Sequence, residues 1–276
     1  MLQIYDKRRA PSLLALAAAT GALIALPAAA ETACDLSDGY GSTLVSYVEE
    51  VQACLATSTA FDAGLEDEIA GFTNSERSAE GLDGLVRRAS LDDAARAHAL
   101  DMAERQYAGH MDLEGRGHVY RMRAIDRQLL TGATGANVVV LPAGTSAEDI
   151  YEMIRSDEAN RQNISHAGFT DTGIGIAEAG DTLYVVQMLT TVDGELKSPM
   201  PLAIADATSF QPDIREGMFR TAGWNLSDAD GNRLAGGKMM RVHADNLGAV
   251  DQAYLDVLVE LDADTYVLKG PMVSLQ

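Results

Sequence analysis

The segments GFTDTGIGIA (residues 168–177) and LYVVQM (residues 183–188) decide the fold of this chain. They predict two strands, 173–178 and 183–190, joined by a turn at 179–181. The second strand carries apolar side chains on both of its alternating faces. A strand of that kind is buried from both sides, so we expect helices against each face of the sheet.

Helical periodicity precedes these strands. Leu65, Ile69 and Phe72 lie on the inner stripe of a predicted helix that ends at Gly81. A second predicted helix has Ser90 as its N-cap and His98 on its inner stripe. A histidine in that position is more often a packed, hydrogen-bonded core residue than a metal ligand, and both interpretations stay open. A third helix begins at Ser146, with Ile150, Met153 and Ile154 facing inward.

These elements predict an α+β chain whose main domain is a three-layer α-β-α sandwich. Past residue 193 the helical periodicity gives way to prolines, glycines and short β-like runs. The turn at 228–232 is typical of a hairpin rather than a calcium loop, because the remaining carboxylate ligands are missing. The expected organisation is a signal peptide (1–30), a disulfide-stapled helical segment (31–64), the main domain (65–194) and a β-rich C-terminal region (195–276).

The first thirty residues have the pattern of a secretory leader. Lys7, Arg8 and Arg9 precede an apolar run at 13–26, and small residues follow at 27–30. The run is too short and too rich in alanine for a comfortable membrane span, and no later segment approaches the length of one. We therefore expect an exported protein, periplasmic or extracellular, with no transmembrane segment in the mature chain.

The two cysteines, Cys34 and Cys54, are the only thiols of the chain. On the oxidising side of a membrane they are expected to pair. Closing a loop of about 20 residues stabilises the fold by roughly 3 kcal/mol on the chain-entropy estimate. A catalytic thiol is the weaker interpretation, because no histidine or other base lies near either cysteine in the sequence.

The chain carries a formal net charge of −20. This balance argues against nucleic acid and against anionic lipid headgroups as partners, since both select patches of Lys and Arg. Solubility in an exported setting is the simplest explanation of the charge. Attraction to cations or basic partners is the alternative.

Seven short segments occur in a fixed order along the chain: IAGFTNSERSAEGL from Ile69, ARAHALDMA from Ala95, GHMDLEGRGHVYR from Gly109, GANVVV from Gly135, RSDEANRQNI from Arg155, GFTDTGIGIA from Gly168 and LYVVQM from Leu183. Together they resemble the CAP superfamily, also called the SCP domain, of cysteine-rich secretory proteins, venom antigens and pathogenesis-related proteins. The resemblance implies an α-β-α sandwich with a cleft in which two histidines and up to two glutamates can hold a divalent metal.

Matching the family motifs to this sequence leaves the metal-binding set incomplete. His110 matches the first histidine, but Ala136 replaces the glutamate of the Gly-Glu-Asn turn and Asn160 replaces the second histidine. The remaining glutamate aligns with Ser156, or with Asp157 or Glu158 if the extra residue in this segment shifts the alignment. Zinc usually needs three or four strong ligands, so we expect no cofactor, with His110 as the one candidate ligand.

Other polar residues of the same motifs complete a predicted binding groove around His110. The resemblance implies that Asn137, Arg161 and Asn163 tie loops to the core through hydrogen bonds to buried backbone. His118 and His166 lie near these motifs in the sequence and offer a replacement histidine cluster, or else are polar loop residues beside the groove. A nucleophilic site built from Ser156 and His110 has no third group assigned and no nucleophile elbow.

The sequence therefore favours a secreted or periplasmic, non-catalytic binding module for a lipid, a cell-envelope component or a protein partner. The alternative is a metal-assisted hydrolase centred on His110. A third possibility is a structural envelope protein that relies on residues 195–276.

Overall fold

A computed structural model describes residues 34–215, 219–248 and 250–275, which pack as one compact unit. The predicted leader, 1–30, lies outside the described residues. The predicted boundaries at 65 and 195 stay predictions. The six α-helices of the described residues are α1 (Leu44–Thr57), α2 (Ala63–Ala79), α3 (Ala89–Arg105), α4 (His118–Ile125), α5 (Ala147–Ser156) and α6 (Glu158–Ile164).

The strands up to residue 196 form one main sheet and part of a small one. They are β1 (Val86–Arg87), β2 (Leu129–Leu130), β3 (Thr134–Pro142), β4 (Asp171–Ala179), β5 (Thr182–Thr190) and β6 (Gly194–Leu196). The main sheet has the order β1-β4-β5-β3, with β1 parallel to β4 and the other pairs antiparallel. The hairpin of β4 and β5, which the sequence predicts, therefore lies at the centre of the main sheet.

Helices cover both faces of this sheet, which confirms the predicted α-β-α sandwich. Helix α3 packs on one face, where Leu91 and Met102 contact Val186 of β5 in a shared core. On the other face, apolar side chains of α2, α5 and α6 pack with Ile174 and Val185 of the sheet. Helix α1 lies on the outer side of α3 and shares a core with α4.

At the outer edge of β4, backbone N–H groups are hydrogen-bonded to side chains of the helices instead of to another strand. Beyond its two-residue pairing with β1, β4 has backbone N–H groups without a neighbouring strand. The N–H of Ile174 donates to the carboxylate of Asp92, and the N–H of Ile176 donates to buried Glu66. Glu66 is neutralised by Arg96 of α3 and by Arg87. Side chains from two helices thus replace a missing strand.

Two details of the predicted helices are wrong. Helix α3 begins two residues earlier than expected, with Arg88 as its N-cap, and Ser90 instead donates its hydroxyl hydrogen to Asp126. Tertiary pairing therefore outcompetes local capping at this end. In α5, Ser146 caps as predicted and Ile150 and Ile154 are buried, but Met153 is exposed.

The C-terminal region is β-rich, as expected. Its strands are β7 (Ala203–Ile204), β8 (Ala207–Ser209), β9 (Pro212–Ile214), β10 (Arg220–Ser227), β11 (Arg233–Gly237), β12 (Arg241–His243), β13 (Gln252–Leu261) and β14 (Asp264–Leu275). Five of them form a sheet in the order β11-β10-β13-β14-β7, while β2, β6 and β9 form a three-stranded sheet and β8 pairs with β12. The turn at 228–232 joins β10 to β11, and Asp228 caps it by accepting backbone hydrogens from Asp230 and Asn232.

Two arginines, buried Arg123 of α4 and half-buried Arg127 just after it, fasten this region to the sandwich. Arg123 donates to the carbonyl oxygens of Gly270 and Leu255 and pairs with Asp256 at 2.8 Å. Arg127 donates to the carbonyl oxygen of Met272 and to the loop before β7. Backbone contacts of this kind fix the orientation of the β-rich region against the sandwich.

Reducing the disulfide is expected to lower the free energy of unfolding by about 3 kcal/mol, because the bond closes a loop between residues 20 apart in the sequence. The predicted Cys34–Cys54 bond is present and anchors the start of the N-terminal segment to α1. Urea unfolding of the oxidised protein and of a Cys34→Ser, Cys54→Ser double variant measures this. Equal unfolding midpoints would show that packing alone holds the segment.

Candidate functional site

The loop between α3 and α4 carries His110. Gln106 ends α3 in a left-handed conformation with φ of 55°, and the chain then turns until His118 begins α4. His110 is exposed, but its carbonyl oxygen accepts a hydrogen bond of 2.7 Å from Arg121. Asp112 accepts both the backbone N–H and the guanidinium of Arg116. The backbone on both sides of the imidazole is therefore fixed.

His98 lies beneath this loop as a core residue. Its ring is buried, and Nε2 lies 2.7 Å from the carbonyl oxygen of Gly109, to which it donates because a carbonyl can only accept. Burial, with a smaller contribution from Arg121, lowers the pKa of His98 to about 3. The side chain is neutral and supports the residue next to His110, as the core interpretation predicts.

His118 is the first residue of α4, and its Nε2 lies 3.3 Å from the hydroxyl of Thr134 at the start of β3. Burial lowers its pKa to about 4, and the charges of Arg121, His110 and Lys269 act in the same direction. At neutral pH this imidazole carries no charge and links α4 to the sheet edge.

His166 has a local structural role in the turn after α6. Its ring is exposed and lies 4.4 Å, centroid to centroid, from Phe169, and Nδ1 accepts the backbone N–H of Gly168. Within the described part of the chain, no group of three possible metal ligands with mutually close donor atoms contains a histidine. The structure therefore does not assemble His110, His118 and His166 into a cluster.

The amide side chains of the motifs form a chain of hydrogen bonds through the core. Asn163 donates to Asn137, Asn137 donates to Gln187, and Gln187 donates to Thr73 of α2. Asn137 also donates to the backbone oxygen of Asn160, and Asn163 to that of the buried Ala136. Asn137 and Asn163 thus tie α6 to β3, as the resemblance implies.

The segment that enters α6 is engaged in local structure. Asp157 is the N-cap of α6 and accepts the backbone N–H groups of Ala159 and Asn160. Ser156 donates its hydroxyl hydrogen to the carbonyl oxygen of Met153. Arg161 is exposed and pairs with Glu158, so its expected bond to buried backbone is not formed.

Arg77 of α2 makes the bonds to buried backbone that were expected of Arg161. Its side chain is fully buried, and it donates to the carbonyl oxygens of Asp83, Ile164, His166 and Phe169 at 2.7–3.1 Å. The role of Arg77 could not be predicted from the sequence, because a single arginine near a helix end is typical of a solvated face. The guanidinium of Arg77 therefore holds the turn from α6 to β4 in place through hydrogen bonds to its backbone.

One acidic cluster lies behind the His110 loop. Asp101, Asp112 and Glu114 have carboxylate oxygens within 4.8 Å of one another. Arg105 pairs with Asp101 and Glu114, and Arg116 pairs with Asp112 and Glu114. With two guanidinium groups among three carboxylates, the cluster is an ion-pair network that shapes the loop.

Acidification is expected to destabilise the protein partly through His118. Its unfolded-state pKa lies near 6.5 and its folded-state pKa near 4, so between these values the unfolded chain binds a proton that the folded chain does not. The free energy of unfolding should then fall by about 1 kcal/mol per pH unit as the pH drops through this window. Urea unfolding of wild type and His118→Gln at several pH values isolates the effect, and parallel pH profiles would contradict it.

Part of the chain is similar to known proteins. The profile described as "Cysteine-rich secretory protein family" (CAP) matches residues 71–189. The chain is 27% identical over 115 residues to the uncharacterized protein YkwD of Bacillus subtilis strain 168. That alignment covers 42% of this chain and 43% of YkwD, so the chain spans less than half of the length of this curated relative.

Two solved structures are also similar. An outer surface protein of Borrelia burgdorferi matches with a TM-score of 0.43 and 13% identity, over 49% of this chain and 99% of that one. An extracellular SCP-domain protein of Bacillus anthracis strain Ames matches with a TM-score of 0.38 and 22% identity, over 46% of this chain and 40% of that one.

Proposed function

Because residues 71–189 belong to the cysteine-rich secretory protein (CAP) family, we propose that this chain is an exported, non-catalytic binding module whose groove at His110 contacts a lipid or another apolar component of the cell envelope. The observation that carries the proposal is the set of side chains at the groove positions. A methyl group at Ala136 and an amide at Asn160 stand where the family has a carboxylate and an imidazole, while Asn137 and Asn163 are engaged in the core.

The residues present do not fit a catalytic zinc ion. Zinc sites use three or four strong ligands, and an amide is a weak one. Among the described residues, the one group of three potential ligands is Asp101, Asp112 and Glu114, whose carboxylates are engaged in ion pairs with two arginines. The metal-assisted hydrolase is therefore the weaker candidate, and we derive no catalytic step from this site.

The surface beside His110 supports an apolar partner. Met111 and Leu113 are 54% and 60% exposed, and both belong to the same fixed loop as His110. Exposed apolar side chains that cluster on one surface mark interaction sites more often than isolated ones do. The rigid backbone supplied by Asp112 and Arg116 lowers the entropy lost when such a loop binds.

Several features support export. The basic and apolar pattern of residues 1–30 is typical of a secretory leader, and the disulfide is typical of an oxidising compartment. None of the helices in the described ranges combines the length and the apolar character that a membrane crossing requires. The net charge of −20 favours a zwitterionic lipid over an anionic one.

Sedimentation with phosphatidylcholine vesicles and with purified peptidoglycan tests the proposal. We expect the wild-type protein to sediment with the vesicles, and a Met111→Ser, Leu113→Ser double variant to bind them about tenfold more weakly, since two apolar side chains lose their burial. Met239→Ser is the matched control, because Met239 is 82% exposed in the C-terminal region. Absence of wild-type binding to the vesicles, binding to the polar peptidoglycan instead, or an equal loss in the control would contradict the proposal.

A further inference from the structure

A cleft lies on the N-terminal side of the molecule. It has a volume of about 650 Å³, within the range of pockets that hold small organic molecules. None of the residues of the predicted His110 groove lines it. Its walls come from the N-terminal segment with α1, from the Glu114–Arg116 turn and α4, and from the start of β13: Asp38, Gly39, Tyr40, Gly41, Ser42, Ser46, Glu50, Glu114, Arg116, Tyr120 and Gln252.

Two polar atoms of this lining lack hydrogen-bond partners. Tyr120 is only 8% exposed, and its hydroxyl oxygen is buried with no partner. The side-chain oxygen of Gln252 is also buried and unpaired. Buried polar atoms are nearly always paired, because an unpaired one loses its hydration without compensation. Two such atoms on one cleft indicate a ligand that supplies the missing bonds.

The charges of the lining indicate which kind of ligand fits. Asp38, Glu50 and Glu114 contribute three carboxylates, of which Glu114 is already paired with Arg105 and Arg116. The cationic side chain of the lining, Arg116, is buried and already bonded to Asp112 and to the carbonyl oxygens of the Tyr40–Gly41 segment. The lining is therefore rich in acceptors and carries net negative charge. A suitable ligand donates hydrogen bonds and is positively charged.

The aromatic lining agrees with a cationic ligand. Tyr40 and Tyr120 both line the cleft, and each contacts the ring of Tyr47 edge to face. Aromatic faces attract ammonium groups through the quadrupole of the ring. The guanidinium of Arg116 already lies 4.7 Å from the ring centre of Tyr47 and 5.7 Å from that of Tyr120, so this wall accommodates positive charge.

We propose that this cleft binds a small alkylamine or polyamine cation, with its ammonium groups held by Glu50, by the Tyr120 hydroxyl and by the side-chain oxygen of Gln252. Most of the lining, Asp38 to Glu50 and Gln252, lies outside residues 71–189. The site is therefore built by the parts that this chain adds to the family domain. The Cys34–Cys54 disulfide anchors the wall on the N-terminal side.

Titration calorimetry of the purified full chain with spermidine, at an ionic strength that screens exposed charges, tests the proposal. We expect saturable binding of one spermidine per chain and no binding of sorbitol, a neutral polyol. Glu50→Gln should weaken the affinity about tenfold, the usual loss for one charge-assisted hydrogen bond. Glu49→Gln is the matched control, because this neighbouring carboxylate is exposed and does not line the cleft; its affinity should stay unchanged.

Tyr120→Phe separates a binding role from a structural one. The phenylalanine ring keeps the contacts with Tyr47 and Arg116, and only an unpaired hydroxyl is lost. The melting temperature of the free protein should therefore stay the same or rise, while spermidine affinity falls about tenfold. Absence of saturable binding, equal weakening in Glu49→Gln and Glu50→Gln, preference for sorbitol, or a Tyr120→Phe variant with unchanged affinity would each overturn the proposal.

Discussion

Gly175→Ala is expected to destabilise the protein by about 3–5 kcal/mol. A Cβ atom at this position would lie 2.2 Å from the backbone nitrogen of Arg96 and 2.4 Å from the backbone carbon of Ala95. These are main-chain atoms of α3, so no side-chain rotation relieves the overlap. The helix would have to move away from β4 and open the core between them.

Gly71→Ala is the control for this prediction. Gly71 lies inside α2, and a Cβ there would meet no other atom within 4 Å. Alanine should stabilise that helix by about 0.5–1 kcal/mol. Urea unfolding followed by circular dichroism measures both variants. A Gly175→Ala protein within about 1 kcal/mol of wild type would show that α3 does not depend on this close contact.

Arg77→Met is expected to cost about 3–5 kcal/mol of unfolding free energy. Methionine has a similar length but donates no hydrogen bonds, so the carbonyl oxygens of Asp83, Ile164, His166 and Phe169 would lose this partner. The turn that joins α6 to β4 would lose its main support. Arg77→Lys should recover only part of the loss, because one ammonium cannot reproduce the fork of a guanidinium.

Arg161→Met is the matched control for Arg77. Arg161 is exposed and pairs only with its neighbour Glu158, so its replacement should change stability by less than about 0.5 kcal/mol. Urea unfolding of the two methionine variants measures the difference directly. Equal losses would mean that Arg77 supports this turn no more than the exposed Arg161 does.

The sequence is sufficient to predict the sandwich because its signals are local. A nearly continuous run of β-branched and apolar residues marks β5, helical stripes mark α2 and α5, and Gly81 ends its helix with φ of 77°. Each of these patterns depends on residues a few positions apart. The Cys34–Cys54 bond could be predicted because two cysteines allow only one intramolecular pairing.

The incorrect and missing predictions concern side chains whose hydrogen-bond partners lie far away in the sequence. Ser90 bonds to Asp126, which lies 36 residues away, and no local pattern indicates that Asp126 is present. Arg77 reaches carbonyl oxygens near residues 164–169, so its burial depends on tertiary structure. The carboxylates of Asp92 and Glu66 at the edge of β4 are of the same kind. Long-range polar contacts leave no periodic signal in the sequence.

The residues of the predicted groove could be predicted from the sequence only in part. The motif positions of Asn137 and Asn163 correctly indicated side chains that tie α6 to the sheet. The same matching assigned His118 and His166 to one region, but His118 contacts Thr134 while the ring of His166 lies against that of Phe169. Proximity along the chain did not establish a shared site. The acceptor-rich cleft at Tyr120 was not foreseen, because its walls come from three separate parts of the sequence.

Titration of the chelator-free protein with zinc, followed by calorimetry, tests the central claim that the groove kept its scaffold without a complete set of metal ligands. We predict no stoichiometric binding at micromolar zinc, and the same result for His110→Ala. One equivalent of tightly bound zinc in the wild-type protein, lost in His110→Ala, would contradict the account.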